Sequence, residues 1–184
     1  MNIFVVNKNP HESAYCLPDK HVVKMPLESS QMLSIVFSEW YYGWGTINKV
    51  DGTPYSTTKG AFRNHPCTKW VAENIYNTAW LIVHGLALCT EYRYRYKKEH
   101  SCNNTLLQAK KLFYQKTNEH LNCYSKVNSF TRAMPDEYKL DNSIDTFTAY
   151  KMYIASKPWA ASNYLRVPER KPNWMISNVN GSGA

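Results

Sequence analysis

Two long stretches of this chain are apolar around most of a helix and yet keep one narrow line of polar side chains. That restricts the fold to helices enclosed by other parts of the chain. In "DKHVVKMPLESSQML", residues 19 to 33, His21, Lys24, Glu28 and Gln31 fall within about 80° of one another at the helical 100° per residue. Val22, Val23, Met25, Leu27, Met32, Leu33, Val36, Phe37 and Trp40 take most of the remaining circumference. Further on, Glu73, Asn77, Trp80, His84, Glu91 and Arg95 share a second strip about 60° wide. A helix lying on a surface shows a broader charged face, so each strip opens either to solvent or to a cleft. The two strips can face each other across a polar groove or both point to water, and periodicity leaves both arrangements open.

Capping and breaking residues divide the chain into about five helices. Asn9 and Pro10 start a short one, and Asp19 starts a second that is expected to run to about Tyr42, with Pro26 as a kink and Gly43 and Gly45 as its stop. Pro66 opens the longest, expected over about 66 to 98; others are expected over about 104 to 121 and 143 to 156. "NIFVV" is a short strand or an extended lead-in, residues 43 to 65 form a long irregular loop, and the Pro- and Trp-rich tail is expected to wrap the bundle. The fold class is therefore all-α. At 184 residues a compact single domain is expected over 1–176, with 177–184, ending in "GSGA", as a linker.

Fourteen per cent aromatic residues require a core to cover them, which excludes a disordered chain. A net charge of +8 favours polyanionic partners. Five cysteines at irregular spacing, with no C-x-x-C pair, fit free thiols in a reducing cytosol. No apolar run approaches the ~20 residues of a membrane span, and the first residues lack the pattern of a signal peptide. "HSC" and "HLNC" carry His and Cys at spacings a zinc ion accepts, but the surrounding residues read as helix, so no metal or other cofactor is assigned.

Glu28 is the candidate catalyst. A carboxylate among apolar neighbours, with Lys24 and His21 nearby to set its charge, can act as a base or stabilise a cation formed at a sugar. Arg63, Asn64 and His65 stand before the helix opened by Pro66, where backbone N–H groups favour a phosphate; His65 or Asn64 acting simply as helix cap is the other reading. "EYRYRYKKEH" suits base stacking and phosphate pairing, or a helix with rings inward and cations in water. Cys67 lies near His65 in sequence, but a thiol nucleophile needs a base placed in space.

"DKHVVKMPLESSQML" and "FRNHPCTKWVAENIYNTAWLIVHGLALCTEYRYRY" together resemble the pyrimidine-dimer DNA glycosylase family, the endonuclease V type found in phages and related bacterial proteins. The pattern is a His seven residues before a Glu, then N-H-P followed by Trp70, then E-[YW]-x-x-R near the end of a long helix, over roughly residues 10 to 100. The resemblance implies a compact helical protein that flips a nucleotide and cleaves its N-glycosidic bond with Glu28 and an N-terminal amine, His21 beside them. It implies DNA or a nucleotide as ligand. The residues themselves offer Arg63, Asn64, His65, Trp70, Glu73, Asn77, His84, Glu91 and Arg95 as candidate binding residues. Enzymes of this type acting on UV-damaged DNA carry arginines where this chain has Leu27 and Gln31, and a small second residue where it has Asn2. A nucleotide- or nucleic-acid-binding protein without turnover is the alternative reading.

Overall fold

A computed structural model describes residues 1–175. The 177–184 stretch read as a linker lies outside them. Seven α-helices are found among the described residues: α1 (Pro10–Tyr15), α2 (Asp19–Phe37), α3 (Pro66–Glu73), α4 (Ile75–Tyr96), α5 (Asn103–Thr117), α6 (Asp136–Lys139) and α7 (Thr146–Ala155). They contain no β-strand, and one isolated antiparallel bridge joins Asn48 to Pro54 in the long loop. The fold is all-α, as the helical periodicity requires. No described helix is long and apolar enough to cross a membrane.

Helix starts follow side-chain chemistry. Asn9 Oδ1 accepts the His11 and Glu12 amides ahead of α1, and Asp145 accepts the Thr148 amide ahead of α7. α2 stops at Phe37, short of Tyr42, because residues 42 to 45 fold back on its end. Tyr42 N donates to Val36 O, and Trp44 N and Gly45 N both donate to Phe37 O, so the last carbonyls are satisfied by the turn. The single helix expected over 66 to 98 is two. Asn74 has extended backbone (φ −159°, ψ 164°), and its side chain accepts from Tyr76 and Asn77 to cap α4. That break moves Glu73 off the α4 strip to the end of α3, where it is exposed.

α4 is the central helix. At Gly85 a Cβ would lie 2.9 Å from Leu106 of α5 and 3.3 Å from Ser29 of α2, so the close meeting of three helices needs glycine there. Met25, Met32, Leu33, Val36 and Phe37 of α2 join Trp80, Leu81, Ile82 and Leu88 of α4 and Leu106 and Phe113 of α5 in one core. "NIFVV" is an extended lead-in and not a strand; Ile3, Val5 and Val6 are buried in that core, and Val6 N donates to Ser13 Oγ. The tail does wrap. Asn163 accepts from the Asp19 and Lys20 amides, and Tyr164 OH donates to Cys16 O.

Candidate active site

The lead-in and α2 bring the first residue of the described chain onto Glu28. The Met1 amine lies 3.6 Å from Glu28 Oε2, and Lys24 Nζ lies 3.4 Å from Glu28 Oε1. Glu28 is 8% exposed, and Oε2 has no hydrogen-bond partner, because 3.6 Å is too long for one. A desolvated carboxylate oxygen without a donor is costly unless a ligand or a developing positive charge completes it. The Met1 side chain is 2% exposed while the residue as a whole is half-buried, so its exposed surface is main chain. The thioether anchors the terminus and leaves its amine end accessible.

Asn2 fixes that geometry. Its Oδ1 accepts from the Ile3 and Phe4 amides at 2.7 and 2.9 Å, and its Nδ2 donates to Ala133 O at 2.6 Å. The 131–133 segment is in turn held by Tyr150, whose hydroxyl donates to Thr131 O and accepts from Ala133 N. The resemblance implied an N-terminal amine beside Glu28, but sequence reasoning did not name Met1 as its bearer and missed the anchoring roles of Asn2 and Tyr150. Asn2 to Ala133 spans 131 positions, and no local pattern marks such a contact.

His21 does not touch Glu28. Its ring stacks on Phe4 at 4.1 Å and meets Trp159 edge-on at 5.4 Å, which supports the lead-in from below. Burial, reinforced by the charges of Lys157 and Lys24, pushes its pKa down to about 3, so it is neutral at physiological pH. Lys24 is mostly exposed and supplies a solvated charge.

His65 caps α3, its Nδ1 accepting from Cys67 N, as the simpler reading had it. It also belongs to the site's electrostatic neighbourhood: burial and the Met1 amine lower its pKa while Glu28 raises it. Arg63 and Asn64 are exposed, with Arg63 stacked over Trp40 at 4.4 Å. Cys67 is no nucleophile, because burial pushes its thiol up to about 12.

The rest of the second strip lies elsewhere. Trp80 Nε1 donates to Lys8 O, and both ring nitrogens of His84, which is stacked on Trp80, are buried without a partner. Asn77 donates to Trp70 O. Arg95, with no exposed side-chain surface, bonds Asp19, Glu91, Leu17 O and Tyr15 O, while Arg170 closes on Glu91. This buried network ties α2, α4 and the tail together, and it leaves Arg95 and Glu91 no freedom to meet a phosphate. The strip packs on α1 and its flanks because their carbonyls need donors. The two strips therefore do not face each other across a groove.

Two clefts open on the described surface, one sharing Thr131 with the segment that holds Asn2 and the other lined by Leu27, next to Glu28 in α2. One, of about 490 Å³, is lined by Trp70, Glu73, Lys69, Ser129, Phe130 and Thr131 among others, with the Trp70 and Phe130 rings stacked at 5.3 Å. Thr131 stands two residues from Ala133, the anchor of Asn2, at most about 7 Å of chain. The other, of about 460 Å³, lies between Leu27 and Gln31 of α2 and Lys49, Tyr55 and Lys59 of the long loop. Here the loop lysines bring cations to α2 positions that carry none. Among the described residues no group of three or more His, Cys, Asp or Glu side chains is gathered as a metal site.

A family model described as pyrimidine dimer DNA glycosylase matches residues 1–104. The chain belongs to that family. The matched span carries Met1, Asn2, His21, Lys24, Glu28 and the Arg63 to Trp70 stretch, and membership implies DNA glycosylase activity with DNA as substrate. No curated protein and no solved structure matches the chain.

Proposed function

We propose that the chain cleaves an N-glycosidic bond in DNA with two groups, the Glu28 carboxylate and, with Met1 as first residue, the Met1 amine. The reading is carried by one observation: a buried, hydrogen-bond-free carboxylate oxygen 3.6 Å from an amine whose side chain is anchored in the core. The amine attacks C1′ of the deoxyribose as the C1′–N bond breaks. The base leaves with the bonding pair and takes up a proton. Glu28 sits against the positive charge that develops on the sugar and accepts the proton shed by the amine. When the sugar ring opens, the adduct becomes an imine between C1′ and the Met1 nitrogen, which water hydrolyses to regenerate the enzyme.

The 490 Å³ cleft fits this reading as the receptacle of an extruded nucleotide. Its volume falls in the range of about 300–1,000 Å³ for ligand sites, and it offers a stacked aromatic wall with polar groups at the rim. Lys49 and Lys59 supply phosphate contacts at the second cleft in place of the α2 arginines. His21 acts as a positioning residue for the lead-in. Incubation with duplex DNA containing a pyrimidine dimer tests the proposal: wild type should cut the glycosidic bond of a dimer nucleotide, leaving an abasic sugar read as strand breakage at that position after alkali treatment while the base stays joined to its neighbour, and Glu28→Gln should not. Binding with the DNA recovered unchanged from both proteins would favour sequestration without turnover.

A further inference from the structure

The turns just before α3, residues 60 to 65, are clamped by hydrogen bonds and stacking and yet display the Phe62 ring to solvent. Trp40 Nε1 donates to Thr58 O, the Arg63 guanidinium lies over the Trp40 ring and donates to Gly60 O, and Tyr41 OH donates to Arg63 O. Backbone bonds from Arg63 N to Gly60 O and from His65 N to Phe62 O close two successive turns. Gly60 has φ +95°, and a Cβ there would sit 2.6 Å from the Trp40 ring, so the packing of loop on Trp40 requires glycine. Between these fixed points Phe62 has φ +64° and is 58% exposed.

Both features are unfavourable for a phenylalanine. The left-handed region strains a bulky L-residue, and an exposed ring gains nothing from burial. A turn hydrogen bond from His65 N to Phe62 O holds the backbone, while more than half of the residue stays in solvent. A strained side chain held in place by its surroundings points to a role outside the fold. The flanks are cationic, with Lys59, Arg63 and Lys69 all exposed. The loop also borders the Glu28 site: Thr57 shares a hydrogen bond with Ser34 of α2, and His65, three residues after Phe62, senses the charges of both Glu28 and the Met1 amine.

We propose that Phe62 is a wedge that enters the base stack of duplex DNA beside the nucleotide processed at Glu28, while the flanking cations hold the adjacent phosphates. Apolar side chains inserted at a base step unstack and kink a duplex, and an extruded nucleotide leaves a gap for such a ring to fill. A preformed loop loses little conformational freedom on insertion. The inference rests on the DNA reading of the Glu28 site, and the experiment separates the two.

The test compares wild type with Phe62→Gly, which removes the ring and relaxes the backbone. Thermal unfolding of the variant should be unchanged or higher. Cleavage of dimer-containing duplex should fall roughly tenfold or more, while cleavage of the same damaged strand in single-stranded form stays at the wild-type rate. A 2-aminopurine next to the dimer should brighten when Glu28→Gln protein binds the duplex and stay dark when Phe62→Gly is added to that protein. Equal duplex cleavage and equal brightening with and without the ring would overturn the wedge and leave the glycosylase reading intact. Parallel losses on duplex and single strand would also overturn it, as would a change in the protein's oligomeric state caused by the substitution. Failure of wild type to bind or cleave either form of DNA would remove both proposals.

Discussion

Two buried histidines make the fold sensitive to mild acid. His84 is 1% exposed with neither ring nitrogen bonded, and His21 is 5% exposed between Phe4 and Trp159. Desolvation takes both from 6.5 to about 3, aided at His84 by His11 and at His21 by Lys157 and Lys24. Between those values the unfolded chain binds protons that the folded chain refuses. Stability is therefore full above the unfolded pKa and falls as pH drops from there towards about 3. Going from about pH 7 to about pH 5, each histidine loses about 2 kcal/mol, and the pair about 4 kcal/mol. His100, whose pKa is raised by bonds to Cys102 and Val23 against the opposing effect of burial, offsets part of this; its contribution grows as pH falls. Urea unfolding at both pH values and constant ionic strength measures the loss. His84→Leu, which removes two unsatisfied nitrogens at similar volume, should cut the pH-dependent loss by about half, a change of about 2 kcal/mol. Equal losses in wild type and variant, or no loss in wild type, would show that His84 takes up its proton in the folded state.

Arg95→Met should cost about 3 kcal/mol in chemical denaturation, at the low end for breaking a buried ion pair, because Arg170 still meets Glu91 and the Leu165 and Arg166 amides still meet Asp19. Gly60→Ala should cost about 1–3 kcal/mol, since it adds strain at φ +95° to a clash with Trp40; a melting temperature equal to wild type would refute the packing described for that loop. Asn2→Ala frees the lead-in from Ala133 and should lower covalent trapping of the amine on DNA by roughly tenfold, with a stability loss of about 1–3 kcal/mol; unchanged trapping would show that Asn2 does not position Met1.

Spacing alone aligned His21, Lys24 and Glu28 on one edge of α2, but it also assigned Val23 and Leu27 to the enclosed side, and both are exposed while His21 and Glu28 are buried. What that edge meets was not legible. The apolar wheel cannot tell water from the far end of the chain, and Glu28 faces Met1 through a lead-in whose anchor is 131 residues away. The Asn74 break carried a local signal, an amide side chain able to cap, but the apolar period continued across it and favoured one helix. Glu91 and Arg95 show the opposite case. Their alignment with His84 was correct, yet carboxylate and guanidinium on one strip describe a buried structural network as well as a binding surface.

Reduction with borohydride during turnover tests the central claim most directly, because it reads the amine and the carboxylate together. Wild-type protein mixed with dimer-containing duplex should become covalently joined to DNA, with the DNA remnant on the Met1 nitrogen when the peptides are mapped, and Glu28→Gln should form no such adduct. A trapped complex of equal yield from Glu28→Gln, or one mapping to a lysine side chain, would contradict the account.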